Sequence, residues 1–470
     1  MGRNRQHVQR LGAPHGGRRR RMTIRRNAQD NVRVAAAWVV ERTLDSLAPV
    51  DSFLDTVLER YDDRDQGLLR EIVFGTLRWL KRIDHVIETA ANREFSAIEA
   101  GLHGVLRVAA YQLLFLDRVP GHAAVNEAVE QAHCLSHRGA ASFVNAVLRR
   151  IARQPNLEQW PVREADAARR LAIEMSHPEI LVSRWLDRFG EARTLAMLEA
   201  NNQPKPLQLL AFRHRGGREL LAEGLIDEGL DVEPSSLSPL GLTVRRGNPL
   251  TTRAFERGDF YIQDEVSQMA ALLRLPEAGE RVLDAAAAPG GKSFALWSWE
   301  PDIRLLLGDV SPQRLATLRS NLQRLRLEAP VVLADAGAPP WGGAGGFDRV
   351  VLDLPCSGTG TLRKNPEIKW RLSERELGRL CDLGLRLLLG SAEAVVPGGL
   401  LMAITCSVER EENEAVVERF LDRRADFGPL PLEGEVPGSL REFVEAPGRW
   451  RVLPGADHDG FTVHVLRRSP

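Results

Sequence analysis

The chain has 470 residues, 43% hydrophobic and 27% charged, and its 63 basic and 63 acidic side chains balance to a net charge of zero. This is the composition of a globular protein of roughly two to four domains, and no apolar run approaches the roughly 18 residues needed to span a bilayer. The four cysteines, Cys134, Cys356, Cys381 and Cys406, form no CxxC pair and follow no secretory signal, which points to free thiols in the reducing cytoplasm and to no metal set.

Charge is unevenly spread. Residues 1–30 hold many arginines and no acid before Asp30, the pattern of a basic, disordered tail of the kind that often binds nucleic acid; Met22 offers an alternative start. Residues 31–155 read as an all-α domain. Val32, Ala36, Val39, Val40 and Leu44 recur at helical spacing, as do Leu69, Ile72, Val73, Thr76, Leu77 and Leu80, and further helices are expected in GLHGVLRVAAYQLLFL, AVNEAVEQAHCL and ASFVNAVLRRIAR. Residues 156–275 begin with a linker running into helices that stop at a proline-flanked turn. LQLLAF, DVEPS, LTVRR and DFYIQD then read as short strands around the helix RELLAEGLIDEG, a small α+β module.

Residues 276–470 alternate apolar β-like runs (RVLDAAAA, IRLLLGDV, VVLAD, RVVLDL, LLMAIT) with helical segments, the mark of a doubly wound, Rossmann-like α/β sheet. Ligands bind beyond the carboxyl ends of such strands. Each end here carries something polar or reactive: Asp284, Asp309, Asp335, Asp353 with Cys356, and Cys406.

DAAAAPGGKSFAL lies at the first strand–turn–helix. Its small residues and two glycines let backbone N–H groups approach a ligand at a helix N-terminus, and Asp309, after the second strand, is placed to meet ribose hydroxyls. Together they suggest a nucleoside cofactor. Gly291-Lys292-Ser293 also resembles the end of a P-loop, so an NTPase is a competing reading, weakened because Ala286 stands where a P-loop has its first glycine. Cys356, in DLPCSGTGTLRKNPEIKW, and Cys406, in LLMAITCSVEREENEAVV, follow two strong strands, and neighbouring strands would aim both at one crevice. Cys134 and Cys381 fall within helical patterns and are read as packing. A nucleoside cofactor and two thiols suit methylation at C5 of a pyrimidine: a thiolate adding at C6 raises electron density at C5, which accepts a methyl group from a sulfonium donor. An acid such as Asp353 would steady the N3 edge of the base.

The Asp284–Lys292 loop, the Asp353–Gly360 turn and Thr405-Cys406-Ser407 together resemble the RNA cytosine-C5 methyltransferases. That resemblance implies Cys406 as nucleophile, Cys356 in product release, and S-adenosyl-L-methionine as donor. The donor would be held by Ala286, Ala287, Ala288, Pro289, Gly290, Gly291 and Lys292, with Asp309 on the ribose, Asp335 near the adenine and Asp353 near methyl group and base. RDQGLLREIVFGTLRWLKRID and FVNAVLRR look like a NusB-type RNA-binding domain, and SHPEILVSRWLDRFG and GDFYIQDEVSQMAALLRL are similar to the connecting region of the RsmB (Sun/Fmu) family. The resemblance covers about residues 31–470 and implies a bacterial 16S ribosomal RNA cytosine-C5 methyltransferase with RNA as partner; the oligomeric state is left open by the sequence, a monomer being the default. Transfer RNA as substrate, or a catalytically idle RNA-binding factor, are the other readings. The chain departs from the family pattern in AAAAPGGK, in LQLLAF where relatives tend towards LRVNTLK, and at Thr462, where an aromatic is usual. Arg363, Lys364, Lys369 and Arg371 around Trp370, and Arg70, Arg78, Lys81, Arg82, Arg149 and Arg150 on the front helices, are candidates for phosphate contacts, with Trp370 either stacking on an unpaired base or packed inward.

Overall fold

In the computed structural model, which describes residues 31–470 apart from 47, 136–137, 341–345 and 435, the first third of the chain is helical; the basic tail lies outside the described residues. Helices run over Val32–Asp45, Asp51–Leu58, Asp63–Arg78, Leu80–Ala91, His103–Phe115, Gly121–Leu135 and Arg138–Ala152. Their starts are written in the sequence. Asn31 Oδ1 accepts from Arg33 N and Asp62 Oδ1 from Asp65 N, both at 2.9 Å, caps of a kind contributing about 1 kcal/mol each. Helix His103–Phe115 is the shared wall of two cores. Val108 packs with Val39, Leu54, Leu69 and Ile72, while Leu106 and Ala109 pack with Ile83, Leu148 and Trp160. The run read as one helix through Leu80 is in fact two. Trp79, at φ −103° and ψ 16°, interrupts it, and Leu80 opens a second helix whose Ile83, Val86 and Ile87 are fully buried.

Asp166 caps helix Ala167–Glu174 by accepting from Arg169 N at 2.8 Å. The following span Glu179–Asn202 breaks at Gly190, the only position inside it with a non-helical backbone. Strands β1 (Leu207–Ala211), β2 (Asp231–Pro234), β3 (Gly241–Arg246) and β4 (Phe260–Ile262) form an antiparallel sheet in the order β2-β3-β1-β4. Helix Gly217–Asp227 covers one face, packing Leu221 and Leu225 on Leu209, Leu242 and Phe260. Leu210 and Phe212 point the other way, into the core of the following domain, where the Phe212 ring meets Trp297 edge-on at 5.3 Å. The apolar LQLLAF therefore joins the small module to the C-terminal domain.

The large sheet contains β5 (Arg281–Asp284), β6 (Arg304–Asp309), β7 (Val331–Leu333), β8 (Phe347–Asp353), β9 (Val395–Thr405), β10 (Phe427–Pro429), β11 (Val444–Ala446), β12 (Arg449–Val452) and β13 (Phe461–Arg468). Its order is β11-β12-β13-β9-β8-β5-β6-β7, with β10 on β13. The five strands from β7 to β9 are parallel, and their apolar runs are continuous because both faces are covered: Val350, Val351, Leu352, Leu401, Met402 and Ile404 are fully buried. The chain steps outward from β5 through β6 to β7, then returns to β8 on the other side, so the order reverses between β5 and β8 and a crevice opens at their carboxyl ends. The parallel half agrees with the sequence reading. The antiparallel extension from β10 to β13 was not anticipated, since three of its four strands are only three or four residues long.

Candidate active site

The loop after β5 is held from beneath. Asp284, 1% exposed, accepts from Ser293 Oγ at 2.7 Å, and burial pushes its carboxyl up to about 6. Ala287 N donates to Gly308 O at 2.8 Å. Asp309, equally buried, accepts from Ala288 N at 3.3 Å and from Ser311 N at 2.9 Å. Arg314 closes this corner, 3.2 Å from Asp309 Oδ2 and donating to Ala288 O at 2.7 Å. Gly290 ends the loop at φ +118°, and a Cβ there would lie 2.1 Å from the Phe294 ring, so glycine alone fits before helix Gly291–Trp299. Asp335, beyond β7, accepts from Gly337 N and Arg386 Nη1, both at 2.8 Å, and the Arg386 hydrogen bond holds its carboxyl below the usual range.

Lys292 turns away from the loop. Its Nζ lies 2.5 Å from Asp353 Oδ2 at the end of β8. Burial opposes its charge, but Asp353, with help from Asp284 and the Cys406 sulfur, wins and holds its pKa above the ordinary value. Ser293 is fully buried with its hydroxyl on Asp284. A P-loop needs that lysine on phosphates and that hydroxyl on magnesium, and neither is free here.

The two cysteines meet. β8 and β9 are adjacent and parallel, pairing Asp353 with Ile404, so the turns after them leave the sheet side by side. Cys356 Sγ and Cys406 Sγ are 3.4 Å apart, both half-buried. The hydrogen bond with Cys406, then burial, raise Cys356 well above an ordinary thiol. The turns approach this closely because Gly360 has no side chain: its N–H donates to Cys406 O at 2.9 Å, and a Cβ would sit 2.1 Å from Gly460 O. Thr462 supports the same turn, donating to Ser407 O at 2.9 Å, so this departure from the family pattern has its own hydrogen bond.

A third partner had no assigned role in the sequence reading. Glu412, 3% exposed, accepts from Ser357 N at 2.6 Å and from Ser357 Oγ and Ser407 Oγ at 2.5 Å each. Asn413 joins it, its Oδ1 accepting from Thr405 Oγ1 at 2.6 Å and its Nδ2 donating to Glu409 O at 2.7 Å. The available signal was the EENE run a few residues after Thr-Cys-Ser, which reads most simply as a solvated helix start.

The basic loop corrects the expectation of phosphate contacts and base stacking. Arg363 is buried and donates to Ala200 O, Gly455 O and Ala456 O. Lys369, 1% exposed, donates to Arg78 O, Ser176 O and Asn202 Oδ1. Trp370 packs inward with its Nε1 on Leu77 O. Lys364 alone of these keeps an exposed side chain, pairing with Asp459 at 2.7 Å. On the front helices Arg82 is buried against Leu157 O and Trp160 O, and Arg78 reaches Arg363 O, whereas Arg70 and Arg149 stay exposed. Cys381 is buried as expected; Cys134 is exposed.

A parallel sheet reversing at β5/β8, a glycine-rich loop after its first strand and a thiol pair at the crevice define a Rossmann-like methyltransferase domain. Residues 270–467 match the family described as 16S rRNA methyltransferase RsmB/F, residues 30–153 the NusB family, and residues 177–251 the RsmF/B-like ferredoxin-like domain. The chain is 33% identical over 415 residues to the probable ribosomal RNA small subunit methyltransferase B of Bacillus subtilis (strain 168), covering 87% of this chain and 91% of that one. It is 33% identical over 422 residues to ribosomal RNA small subunit methyltransferase B of Erwinia tasmaniensis, covering 89% and 96%. The solved structure of PH0851 shares the fold, with a TM-score of 0.74 over 93% of this chain and 99% of that one at 24% identity. The chain belongs to the RsmB/F family of 16S rRNA methyltransferases.

Proposed function

We propose that this protein transfers a methyl group from S-adenosyl-L-methionine to C5 of a cytosine in RNA, 16S ribosomal RNA in particular, through a covalent adduct between Cys406 and C6 of the base. The observation that carries this reading is the pair of thiols 3.4 Å apart beside the Lys292–Asp353 ion pair, at the ends of neighbouring parallel strands. We also assign RNA binding to residues 31–155, connection to 156–275 and catalysis to 276–470.

The residues suit the donor. The loop Ala286, Ala287, Ala288, Pro289, Gly290 and Gly291 carries no side chain larger than proline, so a ligand can come close to the N-terminus of helix Gly291–Trp299. Asp309, Asp335 and Asp353 bring carboxylates to the ends of β6, β7 and β8, on both sides of the β5 loop, and suit ribose hydroxyls, an exocyclic amine and a positive sulfur. When bound, S-adenosyl-L-methionine supplies an electrophilic methyl group.

The Cys406 sulfur forms a bond to C6, and the electron pair of the C5–C6 double bond becomes available at C5, which displaces the methyl carbon from its sulfonium sulfur, the methyl–sulfur electron pair staying on the departing thioether. Once the C5 proton has left, the S–C6 bond breaks and the ring double bond returns. Asp353, fixed by Lys292, holds the N3 edge of the base. Cys356, kept as a thiol by its hydrogen bond to Cys406, assists release of the product. The target base must reach the crevice unpaired or be extruded from its stack.

The test is to incubate the purified protein with S-adenosylmethionine carrying a labelled methyl group and with 16S ribosomal RNA, small ribosomal subunits or transfer RNA, and to map 5-methylcytosine by bisulfite sequencing. Label at a cytosine of 16S RNA is expected. Label confined to transfer RNA, or binding of ATP in place of S-adenosylmethionine, overturns the reading.

A further inference from the structure

Glu412 makes its hydrogen bonds to the residues that immediately follow the two thiols. Ser357 and Ser407 stand 50 positions apart in the chain, yet one carboxylate receives both hydroxyls and the Ser357 N–H. Ser407 Oγ already accepts from Glu409 N at 3.0 Å. It also lies 3.2 Å from Thr359 Oγ1, which accepts from Val408 N at 3.2 Å. Its shortest contact is with Glu412 Oε2, at 2.5 Å, and its proton is donated there. Three donors therefore converge on the carboxylate; burial pushes its pKa up, and the hydrogen bonds from Ser357 and Ser407 work against that to favour the charged form. A buried carboxylate is costly unless matched in this way, and the match adds a side-chain tie between the Cys356 and Cys406 turns to the main-chain one from Gly360 N to Cys406 O.

We propose that Glu412 is a positioning residue whose carboxylate clasps the Cys356 and Cys406 turns together and sets the separation of their sulfurs. The purpose of the clasp rests on the reaction proposed above, since both thiols must serve one base, but the sulfur separation is measurable without that reaction. Glutamine is the sharp substitution. It keeps size and shape but turns an NH2 group towards hydroxyl and amide donors, so at least one of the three bonds is lost.

The experiment uses the full-length protein, without RNA, and the azo oxidant diamide. Two S–H bonds break, an S–S bond forms between Cys356 and Cys406, and the two hydrogens reduce the N=N bond to a hydrazine. Peptide mapping and intact mass follow the loss of two hydrogens. Glu412→Gln is expected to slow this cross-link by about tenfold or more, with alkylation of the exposed Cys134 unchanged. Ser407→Ala, which deletes a single donor, is expected to slow it less, and it carries the comparison if Glu412→Gln does not fold. In methyl transfer, Glu412→Gln is expected to lower kcat by about tenfold or more while the Kd for S-adenosylmethionine stays within about twofold, a split that general loosening of the domain does not produce. Wild-type cross-linking rates in both variants overturn the clasp. A wild-type protein that cross-links, and whose variants cross-link slowly, but that methylates no cytosine overturns the functional reading and leaves the clasp standing.

Discussion

Trp370 donates from its indole Nε1 to the main-chain carbonyl of Leu77 at 2.8 Å, joining the catalytic domain to the front helices. The next residue back, Lys369, places its Nζ on Arg78 O, Ser176 O and Asn202 Oδ1, so it touches both the front domain and the connecting helices. These residues follow closely on the Cys356 turn. The segment expected to meet RNA is thus a bolt between domains, and the thiol turn shares a short stretch of chain with the helices proposed to bind substrate.

Truncating that bolt leaves three buried acceptors without their donor. Lys369→Ala is expected to destabilise the protein by about 3 kcal/mol, read as a shift in urea unfolding monitored by tryptophan fluorescence. A loss below about 1 kcal/mol, the scale of one ordinary hydrogen bond, would speak against a bolt.

The thiols should separate by role. Cys406→Ala is expected to reduce methyl transfer by about a thousandfold or more, as loss of a nucleophile does. Cys356→Ala should instead accumulate a protein–RNA adduct that survives denaturing electrophoresis. Full turnover in the first variant, or no retarded band in the second, counts against the assignment.

At the glycine loop, Gly290→Ala forces a Cβ onto a backbone at φ +118° and into the Phe294 ring. The strain should cost about 1–3 kcal/mol and weaken S-adenosylmethionine binding, measured by calorimetry. Wild-type stability and S-adenosylmethionine affinity in Gly290→Ala would show that the backbone conformation does not matter.

His464 on β13 is 7% exposed. Burial drives its pKa down to about 3, against Glu414 and with Arg451 and Arg449 nearby. An unfolded histidine titrates near 6.5. Between those values the unfolded chain binds the extra proton, so stability falls as pH drops from about 6.5 towards about 3, by up to about 1.4 kcal/mol per pH unit. Asp284, raised to about 6, acts in the opposite sense between about 4 and 6, so the readout is the difference between wild type and His464→Gln in urea melts at several pH values. A difference that does not change with pH would show that His464 is not titrating.

The strands bearing Asp284, Asp309, Asp353 and Cys406 were legible because parallel strands covered on both faces are apolar throughout and end abruptly on polar residues. The short antiparallel strands β10 to β12 carry too few residues for a period to emerge. The break at Trp79 was hidden because apolar spacing continues across it, and backbone angles, not side-chain pattern, divide the two helices.

By itself the amino-acid sequence determined the domain order, the strand–helix alternation, the glycine loop and the chemical kinds of group at the strand ends, because these depend on local periodicity and on residue type. Only the tertiary structure decided which of those groups meet. Strand order put β8 beside β9 and so Cys356 beside Cys406, folded Glu412 under both turns, and turned Arg363, Lys369 and Trp370 from the surface into a domain junction. Contacts between residues 50 to nearly 300 positions apart arise from packing that no local pattern encodes.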